Sequence, residues 1–278
     1  MTYSNKLCLV LLATAREYTS GDVHKCLNSY FSSEASQEHS IDVKIFFNNG
    51  DLSNYSDLFK YSKNKNINKV IIKSLNLKGL DDLYCRTPQE LKKLQGMEMP
   101  ALGGSSGPNN LFFNSMTPLM GEPYRDYLMI ECDTLPIKNY WLDKVIEYCD
   151  NSSFMIAGSM YRGKHQLPSF DSWTGHLNGV AIYRRSENLK SFLSLSRKTI
   201  INKVASNKNY FVSFDVGMHN FLGTLNGRKY FNNPDLPDNM LIDSPIISNY
   251  SLLIDVDTTI DSVKEQYPQT IILHKKWL

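Results

Sequence analysis

One segment of the chain combines a strand pattern with a chemical signature: Tyr127-Leu128-Met129-Ile130-Glu131-Cys132-Asp133-Thr134-Leu135-Pro136. Its apolar run is typical of a buried strand. Glu131 and Asp133 follow at the carboxyl end of that strand, where open α/β sheets bind their ligands. Two acids can hold a hard divalent cation, which is usually shared with substrate phosphates. The segment therefore predicts an enzyme that binds a nucleotide diphosphate through a metal ion. The alternative is that Asp133 caps a helix beginning near Pro136.

The bulk composition is that of an ordinary globular protein. The chain has 278 residues, of which 42% are hydrophobic and 21% are charged, and this length fits one large domain. Its net charge of +2 favours neither nucleic acid nor an acidic surface, so we predict no nucleic-acid partner. The five cysteines are scattered and include no CxxC pair. They favour a reducing compartment, and we predict a cytoplasmic location.

The apolar segment that follows Lys6 has two interpretations. Its length is at the short end for a signal peptide, and it is far shorter than the roughly 20 apolar residues of a membrane helix. We interpret it as the buried first strand of a parallel sheet. The rest of the sequence offers no apolar run of membrane-spanning length, so we predict no transmembrane segment.

Strand and helix patterns alternate along the first two thirds of the chain. Strands are predicted at 6–13, 41–47, 70–75, 127–131, 154–157 and 180–183, and helices at 22–36, 88–95, 111–120, 136–149 and 187–204. Residues 101–110 are rich in Gly, Ser, Pro and Asn and predict a loop. This order predicts an α/β fold with a Rossmann-like, mostly parallel central sheet, helices on both faces and an irregular C-terminal third.

Segment 127–136, with Trp141-Leu142 after it, resembles the metal-binding "DxD" region of A-type glycosyltransferases. In that family the two acids follow a central strand and bind manganese or magnesium with the diphosphate of a nucleotide sugar. The first acid here is Glu, so Asp133 is the better match to a metal ligand. Glu131 either binds the metal, contacts the ribose or acts through a water molecule. The resemblance implies a GT-A-like fold in a single domain, 1–278, with about 1–135 for the nucleotide sugar and about 136–278 for the acceptor.

The ends of the first two predicted strands match the nucleotide-binding half of the same family. The resemblance assigns nucleotide contacts to positions in these two places: Ala13, Arg16, Asn48, Asn49 and Asp51. By itself, the Asn-Asn-Gly-Asp sequence is also an ordinary turn.

Residues 173–183 resemble the stretch of small residues that lies below the donor sugar in this family. The resemblance implies substrate contacts from Trp173, His176, Asn178 and Gly179, and the Trp173 ring suits stacking on a sugar face. A cluster of polar, aromatic and glycine residues before a strand is a usual pocket wall. The alternative is a buried tryptophan followed by a glycine turn.

The C-terminal segment 270–277 reads as a strand that ends in His274-Lys275-Lys276-Trp277. Some A-type glycosyltransferases use a late histidine as a further metal ligand and a neighbouring lysine on the diphosphate. Neutral imidazole binds manganese-like ions well, and a lysine adds positive charge for a leaving phosphate. His274 and Lys275 are the matching residues, and the alternative is an unstructured basic tail.

Asp215 is placed where this family often starts a late helix with an acid. An inverting transferase needs a carboxylate base near the acceptor hydroxyl, so the resemblance makes Asp215 the predicted catalytic base. A retaining reaction needs no such base, and Asp215 is then an ordinary helix cap.

The sequence thus predicts a metal-dependent glycosyltransferase of the hexosyltransferase kind. Its cofactor would be Mn2+ or Mg2+, its donor a nucleotide sugar, with UDP favoured, and its acceptor a hydroxyl of a glycan or lipid-linked saccharide. Such a role fits polysaccharide biosynthesis with peripheral membrane contact. Two alternatives stay open. Gly103-Gly104-Ser105-Ser106-Gly107 matches the G-x-S-x-G elbow of serine hydrolases, with His274 late enough to complete the set, and the chain could instead bind nucleotide sugars without catalysis.

Overall fold

The computed structural model describes residues 5–31, 34–85, 88–94, 98–163, 176–207, 212–231, 238, 240–250 and 255–275. Its strands are β1 (Asn5–Ala13), β2 (Ile41–Phe47), β3 (Ile67–Ser74), β4 (Tyr124–Ile130), β5 (Thr134–Pro136), β6 (Ile156–Gly158), β7 (Ala181–Arg184), β8 (Leu241–Asp243), β9 (Ile247–Asn249) and β10 (Ile272–His274).

The α-helices are α1 (Ala15–Thr19), α2 (Asp22–Phe31), α3 (Pro88–Lys92), α4 (Ser106–Leu119), α5 (Trp141–Asn151), α6 (Glu187–Ser206), α7 (Phe214–Leu222), α8 (Leu225–Tyr230) and α9 (Ile260–Gln266). Short 3-10 helices cover Leu52–Lys63, Gly79–Asp82 and Gly103–Ser105.

The main sheet has seven strands in the order β3-β2-β1-β4-β7-β6-β8. The first four are parallel to one another, β7 is antiparallel to both β4 and β6, and β8 is parallel to β6. Residues 7–13 of the central strand β1 are apolar and all buried, because helices cover both faces of a parallel sheet. The predicted mostly parallel sheet is confirmed.

Helices pack on both faces of this sheet, as predicted. Alternate residues of β1 point to opposite faces, so Leu9 packs in one hydrophobic cluster and Val10 in the other. The first cluster includes Leu27 of α2 and Trp141 of α5. The second includes apolar residues of α4, α6 and α7, such as Phe112.

The polypeptide leaves β1 toward β2 on one side, while β4 lies on the other side of β1. The carboxyl ends of β1 and β4 therefore form a topological switch point. In open α/β sheets a crevice opens at such a point and binds the ligand. Ala13 ends β1 and Ile130 ends β4, so the two acids that follow Ile130 enter this crevice.

Most predicted elements are found, and β2 has the predicted bounds. Residues 101–110 were wrongly predicted as a loop, because α4 begins at Ser106. Pro108 is tolerated there because the first helical turn has no hydrogen-bond partner for its N–H groups. Gly107 has a packing role: its N–H donates to the carbonyl of Leu83 at 2.8 Å, and a Cβ would lie 2.9 Å from that oxygen.

The predicted helix 136–149 was also wrong at its start. Thr134–Pro136 forms β5, which pairs antiparallel with β10. Helix α5 begins only at Trp141, after Tyr140 in the left-handed conformation with φ of 54°. Asp133 therefore caps no helix there. The predicted helix 22–36 ends early, at Phe31.

The C-terminal third contributes a second, three-stranded sheet in the order β5-β10-β9. β9 and β10 run parallel, and a small apolar cluster of Ile137, Tyr250, Val263 and Leu273 packs beside them. Among the described residues, no helix is both long and apolar enough to cross a membrane.

Candidate active site

A tight turn holds the two acids after β4. The carbonyl of Glu131 accepts the N–H of Thr134 at 3.2 Å and its hydroxyl at 2.7 Å. The Tyr30 hydroxyl donates to the Thr134 hydroxyl at 3.2 Å, and the buried Trp141 donates its indole N–H to the Tyr30 carbonyl at 2.8 Å. Since these partners are buried in the core, the direction of the turn is fixed by packing.

The pairing of β5 with β10 brings His274 to this turn. Thr134 and His274 are register partners, and the N–H of Lys275 donates to the Asp133 carbonyl at 3.0 Å. His274 Nε2 consequently lies 3.1 Å from Asp133 Oδ1 and 3.6 Å from Glu131 Oε2. The three predicted metal ligands thus meet at one place, with one ligand atom from each lying within 4.8 Å of the others.

The three side chains of this cluster interact strongly through their charges. Burial raises the pKa of Glu131 to about 7 against the opposing charge of His274, and Asp133 adds to the rise. Burial disfavours a charged His274, but the charges of Asp133 and Glu131 outweigh it and raise the pKa of the imidazole to about 9. Without a metal, a protonated His274 balances the acids.

The donor set fits a divalent metal ion. Two carboxylates and one imidazole supply oxygen and nitrogen donors of the kind that Mn2+ accepts, and Mg2+ takes the carboxylates readily. Open positions would remain for phosphate oxygens and water. A bound cation would replace the His274 proton as the positive charge between Glu131 and Asp133.

Asn249 supports His274 from behind. Its side-chain Oδ1 lies 3.0 Å from His274 Nδ1, on the side of the ring away from the acids. The Asn249 carbonyl accepts the N–H of Arg162 at 2.8 Å, which ties the segment around residue 162 to β9. Nothing in the sequence pattern marks Asn249, because its role depends on the pairing of β9 with β10.

Lys275 is buried and its ammonium group donates to the carbonyls of Asp255 and Thr258, the latter at 2.8 Å. Burial lowers its pKa. In this conformation its charge closes the turn at residues 255–258, and its contact with a diphosphate stays a prediction.

The predicted nucleotide residues lie together at the ends of β1 and β2. Asn48 is buried, and its Oδ1 accepts the N–H of Ala15 at 3.0 Å, next to Ala13 at the end of β1. The side-chain amides of Asn48 and Asn49 both donate to Asp82, at 2.8 to 2.9 Å.

Arg16 and Asp51 are exposed beside this group. Arg16 lies on α1, directly after the end of β1. Asp51 caps the 3-10 helix that follows, with Oδ1 accepting the N–H of Ser53 at 3.0 Å. Both positions are accessible to a ligand, and their nucleotide contacts stay predictions.

Two acids near this edge were not identified from the sequence. Asp82 belongs to the 3-10 helix Gly79–Asp82 and reaches the site only because Ser106 and Asn110 hold that helix to α4. Glu17 forms a capping box with Thr14 on α1, a local signal that was available but was not read as functional. Burial raises the pKa of Glu17, and the charge of Asp133 adds to that rise.

Asp215 lies in the first turn of α7 and is buried. Its Oδ1 accepts the Ser213 hydroxyl and the N–H of Val216, and its Oδ2 lies 3.4 Å from His176 Nε2. Burial alone would raise its pKa, but the hydrogen bond and charge of His176 help to hold that pKa below the usual value.

Asp215 interacts electrostatically with the cluster of Glu131, Asp133 and His274, because its charge raises the pKa of both Glu131 and His274. It also lines an open cleft with Asn178 and His219. The rest of the cleft wall is mainly apolar and comprises Ile156, Met160, Leu177, Met218, Leu222, Gly223 and Leu241. The structure thus places the predicted base in a cleft.

Gly179 and Asn178 shape the approach to Asp215. A Cβ at Gly179 would lie 2.3 Å from Cζ of Phe214, the residue before Asp215. Asn178 accepts the N–H of Val180 through its side chain at 2.9 Å, which turns the chain into β7. Gly179 therefore has a packing role in the structure, while its contact with substrate stays a prediction. Trp173 lies outside the described residues.

The hydrolase alternative lacks its required geometry. Ser105 is buried in the 3-10 helix Gly103–Ser105, and the described residues just before it, 98–102, form no strand. A nucleophile elbow needs a strand that ends at an exposed serine. Ser105 instead begins α4 as its N-terminal flanking residue.

Comparison with known proteins identifies the fold. No family model and no curated protein matches the sequence. Mouse xyloside xylosyltransferase 1 has a similar structure, with a TM-score of 0.52, 12% sequence identity and 97% of each chain covered. The glycosyltransferase GlyE of Streptococcus pneumoniae is also similar, with a TM-score of 0.50 and 12% identity. That match covers 98% of this chain and 54% of GlyE, so this chain spans about half the length of GlyE. The chain has the A-type glycosyltransferase fold that its motifs predict.

Proposed function

We propose that this protein is a metal-dependent glycosyltransferase that moves a sugar from a nucleotide sugar to a hydroxyl group of a saccharide. One observation carries the proposal: Glu131, Asp133 and His274 converge at the carboxyl end of β4, within a fold shared with glycosyltransferases. In such a sheet the switch point is the place where a ligand is expected.

The chemistry follows from the charges in this crevice. A divalent cation bound by Asp133, Glu131 and His274 would act as a Lewis acid that neutralises the departing nucleotide diphosphate. Arg16 is exposed at the end of β1, where it can add positive charge as negative charge develops on the leaving group. Ala13, Asn48, Asn49 and Asp82 form the edge where the nucleoside would lie.

Asp215 provides the acceptor side of the proposal. Its lowered pKa keeps the carboxylate ionised at neutral pH, and it faces the cleft beside Asn178 and His219. In an inverting reaction Asp215 removes the proton of the attacking hydroxyl. In a retaining reaction no such base is needed, and the anomeric configuration of the product decides between the two.

We further propose a UDP-sugar donor, a glycan or lipid-linked saccharide acceptor and a role in polysaccharide biosynthesis. Two of the similar structures, xyloside xylosyltransferase and GlyE, are named for sugar transfer. A cytoplasmic location is proposed from the cysteines, since all five are free thiols, which is usual in a reducing compartment.

The test combines metal binding with turnover. Mn2+ binding to the purified protein would be measured by electron paramagnetic resonance, and release of nucleotide from UDP-, GDP- and CMP-sugars would be followed with and without a saccharide acceptor. The wild-type protein should bind Mn2+ and release the nucleotide from one of the three kinds of nucleotide sugar. The Asp133→Ala variant should lose both activities.

Glu147→Ala is the matched control, because Glu147 is an exposed acid on α5 outside the site. It should bind Mn2+ and turn over like the wild type. Unchanged turnover in Asp133→Ala would refute the proposed chemistry. Metal and nucleotide-sugar binding without any turnover across the panel would favour a binding module.

A further inference from the structure

The chain has a small net charge, but residues 58–80 are strongly basic. Residues 58–80 contain six lysines and no acid, whereas the whole chain has a net charge of +2. This stretch therefore carries +6, and the other residues together carry −4. All six lysines are exposed, and we refer to them as the lysine edge: Lys60, Lys63, Lys65, Lys69, Lys73 and Lys78.

The lysine edge follows the free side of β3, the strand at one end of the main sheet. Lys69 and Lys73 lie on the same face of β3, because side chains alternate along a strand. Lys60 and Lys63 precede the strand on the 3-10 helix Leu52–Lys63, three residues apart and hence in one column. The 3-10 helix packs on the face of β3 that carries Val70 and Ile72. Lys60 and Lys63 therefore flank the edge on that side, and Lys69 and Lys73 flank it on the other.

Carboxylates neutralise little of the lysine edge. Among the described residues, Lys60 alone of the six has an acid within 4.0 Å, namely Asp57. Asp57 is also committed elsewhere, since it accepts the Tyr18 hydroxyl at 2.6 Å and faces His24 Nε2 at 3.0 Å. The remaining positive charge is available to an external anionic partner.

Protection of a sheet edge explains only part of this pattern. Lysines on an edge strand discourage pairing with another chain, and Lys69 and Lys73 can serve that purpose. Lys60 and Lys63 lie on a helix and Lys78 lies beyond the strand, where there is no edge to protect.

Two exposed apolar side chains accompany the lysines. Leu52 is 49% exposed and Phe59 is 50% exposed, and both belong to the same 3-10 helix as Lys60 and Lys63. A soluble polyanion could pair with the lysines but would offer no apolar surface to cover Leu52. A bilayer with anionic headgroups instead offers negative charge to the lysines and an apolar layer to Leu52 and Phe59.

We propose that the lysine edge, with Leu52 and Phe59, docks this protein on an anionic lipid bilayer. The surface charge and the exposed apolar residues carry this proposal independently of the proposed transfer reaction. Docking along β3 would hold the crevice at the carboxyl ends of the strands near the bilayer surface.

The test is sedimentation with vesicles of phosphatidylcholine alone and of phosphatidylcholine with phosphatidylglycerol. The wild-type protein should bind the anionic vesicles, and binding should weaken as salt is raised. A basic residue near an anionic surface contributes about five-fold in partitioning. The triple variant Lys63→Gln, Lys69→Gln, Lys73→Gln should therefore bind about 100-fold more weakly.

The matched control makes the same change of charge on the exposed face of α6: Lys190→Gln, Lys198→Gln, Lys203→Gln. This control should bind like the wild type apart from a small effect of net charge. Phe59→Ala should weaken binding at high salt as well as low salt, since its contribution is apolar. Circular dichroism and gel filtration would confirm that every variant is folded and monodisperse.

Three outcomes would overturn the proposal. One is a wild-type protein that does not sediment with anionic vesicles. Another is an equal loss of binding in the two triple variants, which would indicate net charge alone. The third is a protein that binds single-stranded DNA or an acidic polysaccharide through the same lysines while leaving vesicles unbound, which would assign the surface to a dissolved polyanion.

Discussion

Asn249 and His274 are register partners in the parallel pair β9–β10, and their side chains meet with Asn249 Oδ1 3.0 Å from His274 Nδ1. The amide oxygen accepts the Nδ1 proton, so the other ring nitrogen, Nε2, faces Asp133 and Glu131. A histidine that binds a metal commonly has its second nitrogen held in this way, which fixes both the tautomer and the ring orientation.

Removing the acceptor at position 249 should weaken metal binding. We expect Asn249→Leu to lower Mn2+ affinity about 10- to 100-fold, because His274 loses the partner that orients its ring. Asn249→Asp keeps an acceptor oxygen and should retain most of the affinity. Paramagnetic resonance titration of free Mn2+ measures both variants. Equal affinity in Asn249→Leu and the wild type would show that Asn249 does not position the ligand.

The metal-free protein should lose stability as the pH rises. The pKa of His274 is about 9 in the folded protein against a usual 6.5, so folding is favoured by proton binding. This contribution is complete below pH 6.5 and is lost as the pH rises toward 9. It amounts to about 3 kcal/mol. Urea unfolding in the presence of a chelator would measure the loss.

His274→Gln serves as the control for this pH dependence. The variant lacks the titrating group, so its free energy of unfolding should change less between pH 6.5 and 9. Glu131, whose pKa is raised to about 7, acts in the same direction but over a lower range. An identical pH slope in wild type and His274→Gln would contradict the assignment to His274.

Loss of His176 should move the acid limb of the pH–rate profile. His176 lies 3.4 Å from Asp215 Oδ2 and helps to lower the pKa of Asp215. In His176→Ala, burial would raise the pKa of Asp215. As the pH is lowered, kcat/KM should therefore begin to fall at a higher pH than in the wild type. The limb should stay in place in His24→Gln, since His24 lies on α2 and faces Asp57. An acid limb at the same pH in His176→Ala and the wild type would show that the pairing of His176 with Asp215 does not control the reaction.

Gly179→Ala should disturb the support of Asp215. The new Cβ would lie 2.3 Å from Phe214, whose ring stacks on Phe112 with 3.8 Å between ring centroids. Such overpacking typically costs about 1–3 kcal/mol. Gly121→Ala is the control, because its Cβ would come no closer than 3.5 Å to Pro118. Urea midpoints of the two variants measure the difference, and equal midpoints would mean that Phe214 moves aside freely.

Local patterns in the sequence were enough to predict the central strands. β1 and β4 contain long apolar runs, and apolar residues alternate with Asp42 and Lys44 at the start of β2. The type and position of these strands could therefore be predicted. The acids after β4 were identified for the same reason. His274 was found through a family resemblance, although it lies 141 residues beyond Asp133.

Contacts between distant segments account for what the sequence did not reveal. Pro136 looked like the start of a helix, but pairing of β5 with β10 outweighs that local preference. Asn249 and Asp82 carry no local signal, since one depends on strand register and the other on packing of a 3-10 helix against α4. Gly107 and Pro108 resembled loop residues but lie in α4. Gly107 allows the backbone of Leu83 to approach closely, and Pro108 lies in the first helical turn.

The three-stranded sheet also orders events during biosynthesis. A ribosome completes the strand with Glu131 and Asp133 long before it reaches His274, because 141 residues separate Asp133 from its partner. A nascent chain therefore carries two acids without their imidazole, and its crevice stays incomplete until β10 pairs with β5. Full metal affinity would then be acquired only after translation has passed residue 274 and β10 has paired with β5.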